Sequence, residues 1–415
     1  MNNSVKEERG TELIRELIME ALAEKAGDIH LEPQKDGGFI VKYRINEGLK
    51  EVKSFASDVT EKLIFQLKKM AGMNDESTIV QKGNFFMETE GNELSIRVGT
   101  LPLPLGERIV LSVNKGEKTC TDGGFNVPDF QQEDLESMKE IFDKPSGIVF
   151  ITGTAGSGHR ETCYSALNYI LARKSGKVNI ITLEGSTEYM INGIVQLHIN
   201  DSNEYYETLK SVIWQDPDVV FIDNVPDRNT GRIISDIALT GHMVIIRMNS
   251  YDIFYGIKTL KKLGFEPCLM ASTLEGAIAQ RMVRTICKNC MEEYSPKEDI
   301  AERYYLRLYQ RCLQSRNKTS SGEENVSNPL NKVSLYRGKG CKECNHTGYR
   351  GQTGLYEILN PDMEMKDLFA RKLNFKEFKE RLMGKDFVTL REKALFYALS
   401  GVTTLEEALK VSYSS

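Results

Sequence analysis

Leu13, Ile14, Leu17, Ile18, Ala21 and Leu22 recur at three- and four-residue intervals over residues 11 to 26. That spacing predicts an amphipathic helix, with Thr11 as its N-cap. The period then shortens. Asp28 to Pro33 and Phe39 to Ile45 alternate as strands around the turn Lys35-Asp36-Gly37-Gly38. A second helical pattern over about residues 58 to 71 precedes strands near 84 to 89, 93 to 100 and 107 to 113. This α+β pattern closes near Asn114, and the polar, glycine-containing run Lys115 to Gly124 reads as a linker.

Beyond the linker the pattern changes. A helix over Gln131 to Phe142 leads to short, continuous β-prone runs at Ile148 to Ile151, Val178 to Leu183, Val219 to Ile222 and His242 to Met248. Such runs are what a parallel sheet buried on both faces uses, and helical stretches alternate with them to about residue 285. Residues 316 to 325, Arg-Asn-Lys-Thr-Ser-Ser-Gly-Glu-Glu-Asn, are polar and read as a mobile loop. Helical periodicity returns at Leu390 to Leu399 and Thr404 to Val411.

The first of these β-prone runs carries the most chemistry. Ile148 to Ile151 feed a glycine-rich turn, Gly153-Thr154-Ala155-Gly156-Ser157-Gly158, and a helix-compatible segment begins near Arg160. Strand, turn and helix in that order form a phosphate-binding P-loop, whose usual motif is G-x-x-x-x-G-K-[ST]. In it, backbone amides cradle phosphate, Lys neutralises oxygens and a hydroxyl holds Mg²⁺. Here His159 and Arg160 follow Gly158, and Glu161 comes next. The backbone frame is kept while its cation and its metal ligand are replaced.

Composition narrows the class further. With 415 residues the chain is expected to form two to three units, and 40% hydrophobic with 27% charged residues describes a globular protein. A net charge of -5 gives no broad attraction to nucleic acid. The N-terminus lacks a signal-peptide core and no apolar run spans a bilayer, so a cytoplasmic location is expected. Of the eight cysteines, Cys287-x-x-Cys290 and Cys341-x-x-Cys344 supply four soft ligands for a structural zinc ion. Cys120, Cys163, Cys268 and Cys312 stand alone and read as ordinary residues.

Several stretches resemble one family, the ATPases of type II secretion and type IV pilus assembly with their competence relatives. These are Gly27-Asp28-Ile29-His30-Leu31-Glu32-Pro33, Gly106-Glu107-Arg108-Ile109-Val110-Leu111, Trp214 to Val220, Thr240-Gly241-His242, Ile278 to Arg284 and Gly340 to Glu357. The resemblance implies an α/β fold: a RecA-like P-loop nucleotide-binding domain (126–286) preceded by a smaller α+β N-terminal domain (1–114) and a linker (115–125). A tetracysteine zinc segment (287–357) and a helical C-terminal part (358–415) would follow. It also implies ATP with Mg²⁺ as ligand, structural Zn²⁺, ring hexamers of identical or paralogous chains, and an inner-membrane platform protein as partner. Residues 1 to 10 are too few to form the longer docking segment of some members, so membrane attachment is expected to be indirect.

Against the family pattern, the departures fall on the chemistry. Gly153 to Glu161 would contact nucleotide, yet His159 and Arg160 replace the Lys and the hydroxyl. Asn224, in Ile222-Asp223-Asn224-Val225, takes the place of the Walker B Glu that orients water. Asn249 stands where the family has His, and Gln81-Lys82-Gly83-Asn84 where an arginine is expected. Glu184 and Glu188 remain in the acidic box. For Glu184, Glu188, Asp223 and His242 two readings stand, polar strand ends or residual nucleotide contacts. The expectation is a catalytically impaired subunit of a pilus, pseudopilus or competence motor; the alternative is an active ATP-hydrolysing motor.

Overall fold

The computed structural model describes residues 2–45, 48–74, 79–89, 92–115, 125, 131–187, 190–199, 202–294, 334–371, 375–383 and 387–412. Most of the expected linker and the expected mobile loop lie outside them. Two compact units emerge, Met1–Thr119 with Ser186–Ile191, and Cys120–Gly185 with Asn192–Ser415.

The first unit is a six-stranded antiparallel sheet with two helices. Helix α1 (Asn2–Ala23) precedes β1 (Asp28–Pro33), β2 (Phe39–Ile45) and β3 (Gly48–Phe55); α2 (Ser57–Met70) precedes β4 (Gln81–Thr89), β5 (Asn92–Leu103) and β6 (Gly106–Lys115). The strand order is β3-β2-β1-β6-β5-β4. Ile14, Leu17, Ile18 and Ala21 of α1 pack with Leu63 and Leu67 of α2 over the alternating inward residues Ile29, Leu31, Val41 and Tyr43. The expectation for Thr11 is corrected here. Helix α1 runs through it, and its hydroxyl accepts from Gln66 Nε2 at 2.8 Å, tying α1 to α2 rather than capping.

The second unit contains a seven-stranded sheet. Its elements begin α3 (Gln132–Phe142), β7 (Gly147–Gly153), α4 (His159–Arg173), β8 (Ile180–Glu184), β9 (Val195–His198), α5 (Ser202–Ile213) and β10 (Val219–Ile222). They continue α6 (Arg228–Leu239), β11 (Met243–Asn249), α7 (Ile253–Lys262), α8 (Pro267–Thr273) and β12 (Leu274–Ile286). A short antiparallel pair, β13 (Met291–Tyr294) and β14 (Leu335–Gly338), precedes β15 (Tyr349–Leu359). Four helices follow: α9 (Met363–Ala370), α10 (Phe375–Met383), α11 (Leu390–Leu399) and α12 (Leu405–Ser412).

Sheet order is β15-β12-β7-β11-β10-β8-β9, parallel throughout except for the β12–β15 pair. All seven residues of β7 are buried, which is why its sequence carries no polar alternation. Because strands β7, β11, β10 and β8 are in parallel register, their C-terminal residues form one edge: Asn249 lies opposite Gly153, and Ile222 opposite both Ile246 and Leu183. In open α/β sheets that edge is where ligands bind.

Glu357 ties the C-terminal helices to this sheet. Fully buried on β15, it accepts the first backbone N–H of α7, from Ile253 at 2.9 Å, and the first of α11, from Leu390 at 3.0 Å. Two helix N-termini thus meet one carboxylate, which complements their partial positive charge.

Candidate functional site

The turn between β7 and α4 is built as the motif requires. Ser157 N–H donates to Thr154 O at 3.0 Å, closing a turn whose third residue, Gly156, has φ +77°. That geometry is a type II turn, which asks for glycine there. A side chain on Gly153 would place its Cβ 2.0 Å from Ser157 Oγ, so the loop folds back onto the strand only because glycine ends it. Gly158, at φ +72°, opens α4.

The side chains inside this frame form one continuous network. His159 is buried; its Nδ1 lies 2.9 Å from Ser157 Oγ and its Nε2 3.0 Å from Arg247 Nη1. A guanidinium has no lone pair to offer, so Nε2 accepts, and the ring proton sits on Nδ1 and is donated to Ser157. The ring is therefore neutral. Burial first, then the neighbouring Arg247 and Arg160 charges, push its pKa down to about 4.

Arg247 also donates from Nε to Asp223 Oδ1, while Arg160 Nη2 sits 3.2 Å from Asp223 Oδ2. One carboxylate is thus bridged by two guanidiniums, all three side chains largely buried. A magnesium ion needs the oxygens that the arginines occupy, and it would meet both guanidiniums at the one carboxylate they bridge. The nearby hydroxyls are engaged as well: Ser157 with His159, and Thr162 with Gly158 O at 3.2 Å and Gln280 Oε1 at 2.5 Å. As arranged, the residues do not fit Mg²⁺.

Beside the network opens a cleft of about 370 Å³, lined by Gly185, Tyr205, Asp223, Asn224, Arg247 and Asn249 among others. Asn224 and Asn249 are both brought to the site, at the ends of β10 and β11. Glu184 is fully buried at the end of β8, where its carboxylate takes donors from Tyr164 Oη, Thr182 Oγ1 at 2.6 Å and Gln196 Nε2 at 3.2 Å. Burial raises its pKa. Glu188 lies outside the described residues. His242 stands at the opposite end of β11, with Nδ1 2.9 Å from Thr240 Oγ1 and 3.0 Å from Ile237 O, and takes no part.

Arg247 is a side chain of this network that the motif reading passed over. It lies two residues before Asn249, on the same face of a strand, but that spacing does not tie it to His159 or Asp223.

The four paired cysteines converge. The Sγ atoms of Cys287, Cys290, Cys341 and Cys344 lie within 4.8 Å of one another, with 3.8 Å for Cys287–Cys341, 3.8 Å for Cys290–Cys344 and 3.7 Å for Cys341–Cys344. Tetrahedral zinc with Zn–S of about 2.3 Å requires S···S near 3.8 Å, so the residues fit the ion. Backbone N–H groups of Cys341 and Gly348 point at Cys344 Sγ from 3.2 and 3.3 Å and hold its pKa down to about 6, favouring the ligating thiolate. Zinc bound here would cross-link the end of β12 to the start of β15. Of the remaining cysteines, Cys163 is buried and Cys268 exposed; Cys120 and Cys312 lie outside the described residues.

A parallel sheet with a glycine-rich strand-turn-helix at its C-terminal edge, preceded by an α+β unit and followed by a tetracysteine cluster, defines a RecA-like P-loop protein. The Type II/IV secretion system protein family model matches residues 4–410. The chain is 33% identical over 405 residues to the type II secretion system protein E of Pseudomonas aeruginosa, covering 96% of this chain and 75% of that one. It is 31% identical over 409 residues to the type IV pilus assembly ATPase PilB of Thermus thermophilus, covering 97% and 43%. Solved structures share the fold: the pilus retraction motor PilT with bound ADP (TM-score 0.61, 18% identity, 95% of this chain and 96% of that one) and the Legionella pneumophila ATPase DotB (TM-score 0.63, 15% identity, 97% and 96%). This chain belongs to the Type II/IV secretion system protein family. No described helix is long and apolar enough to cross a membrane.

Proposed function

We propose that this chain is a catalytically impaired member of its family, a pseudo-ATPase subunit of a pilus, pseudopilus or competence assembly motor. The observation that carries the reading is the bridging of Asp223 by Arg160 and Arg247. Phosphoryl transfer depends on a positioned metal, a positioned cation and an oriented nucleophile. In this site the metal's carboxylate is engaged by arginines, and neutral His159 stands in the lysine position. Asn224 can hydrogen-bond water but cannot accept its proton.

The chain's own residues would act as a frame. Gly153 to Glu161 would cradle phosphate through backbone amides, and Glu184 would brace the end of β8. The four cysteines would hold structural zinc. The chain would join a ring, of its own copies or with an active paralogue, at the cytoplasmic face, and contact an inner-membrane platform protein without binding nucleic acid. The second reading, an active motor, is favoured by the described role of the Thermus relative.

The two readings separate in ATP turnover of the wild-type chain beside the triple variant His159→Lys, Arg160→Thr, Asn224→Glu. The proposal expects background phosphate release from the wild type and a gain in the variant. Wild-type turnover well above background, and not exceeded by the variant, would support the motor instead.

A further inference from the structure

Arg247 is 88 residues from His159 in sequence, yet its guanidinium reaches the head of the glycine-rich loop, at the position where the P-loop motif has Lys. Arg160 delivers a second guanidinium where the motif has its metal-binding hydroxyl. Asp223 holds both, one on each carboxylate oxygen, and so presets the spacing of two forked donors. Two oxygens of a phosphate group present the same kind of acceptor pair, and guanidinium recognises it in two-pronged fashion without losing its charge at any ordinary pH. Asp223 and Arg247 line the cleft of about 370 Å³, so this end of the bridge is open to an incoming phosphate group.

We propose that this is a phosphate-chain site that works without a divalent cation. Arg247 and Arg160 replace the missing lysine and magnesium, and Asp223 is an internal counter-ion that the incoming phosphate displaces. The inference rests on Gly153 to Glu161 being a descended P-loop, but not on the absence of turnover. It has a directional consequence. Magnesium chelates the phosphate oxygens that the guanidiniums would take and brings positive charge beside two others, so the free polyphosphate binds better than its magnesium complex.

Equilibrium dialysis of the full chain against ATP and against inorganic tripolyphosphate, each in EDTA and in excess Mg²⁺, tests it. Both ligands are expected to bind in EDTA, with affinity falling about five-fold or more when Mg²⁺ is added. Binding that requires Mg²⁺, or no binding of either ligand in EDTA, would overturn the proposal. Two variants close the test. Arg247→Gln is expected to lose about ten-fold in affinity. Asp223→Asn, which removes the negative charge that the phosphate must displace, is expected to gain affinity, an outcome that misfolding cannot imitate; unchanged or weaker binding by Asp223→Asn would count against the mechanism. Phosphate release followed in the same magnesium samples reports separately on the impaired-ATPase reading. Release with cation-independent binding would sink that reading alone, and no binding with no release would sink only this one.

Discussion

Arg247 Nη1 donates to His159 Nε2 across 3.0 Å, and burial together with this contact keeps the ring at the head of the loop neutral. His159 folds with a pKa pushed from 6.5 to about 4. The unfolded chain therefore binds a proton there that the folded chain refuses, and stability rises with pH across that window. The contribution is present above pH 6.5 and is lost as pH falls toward 4, by about 3 kcal/mol in all. Urea unfolding at pH 7 and pH 5 should show a smaller acid loss for His159→Gln than for the wild type. An equal loss in both would mean that the ring is not held neutral.

Zinc content is the next expectation. The sulfur spacing predicts about one Zn²⁺ per chain, lost in Cys341→Ser. Chelation is expected to destabilise the packing of β14, α11 and α12, where Leu335, Leu395 and Leu405 form their own small core. Elemental analysis of freshly purified protein that finds no zinc would contradict it.

Glu357→Ala is expected to cost about 3 kcal/mol, since it orphans two buried N–H groups at the starts of α7 and α11. Denaturant unfolding measures it. A loss within the range of a surface substitution would show that the two helix starts find other acceptors.

In the N-terminal unit, Lys68 Nζ and Glu107 Oε2 pair at 2.8 Å with both side chains almost wholly buried. Removing one partner strands a charge, so Glu107→Ala is expected to cost about 3–5 kcal/mol. The double change Lys68→Met, Glu107→Leu should recover most of it. A double-mutant cycle with no coupling would contradict the pairing.

Much of this was legible in the chain because local chemistry announced it. Ile148 to Ile151 with the glycines after them could only be a buried strand and a tight turn, and two C-x-x-C pairs required one another. What stayed hidden depended on distance or exposure. Strand β3 was not foreseen because its apolar residues, Leu49, Val52 and Phe55, fall three apart instead of alternating, and most of the edge strand is exposed. Strand β15 carries Gly351 and Gly354, which weaken a strand pattern, and is held by pairing with β12. Thr11 looked like a cap because the apolar pattern began beside it, while α1 starts earlier on polar residues. Arg247 sits in a core strand and meets Asp223, 24 residues away, and His159, 88 residues away. No spacing rule connects those three positions before the sheet is assembled.

The arginine-bridged Asp223 is expected to leave this family member without ATP turnover. Steady-state phosphate release by the purified full chain with ATP and Mg²⁺ tests it most directly, measured beside Asn224→Ala. Release is expected at background in both, with no difference between them. Sustained release by the wild type that Asn224→Ala abolishes would contradict it, and would make Asn224 part of a working active site.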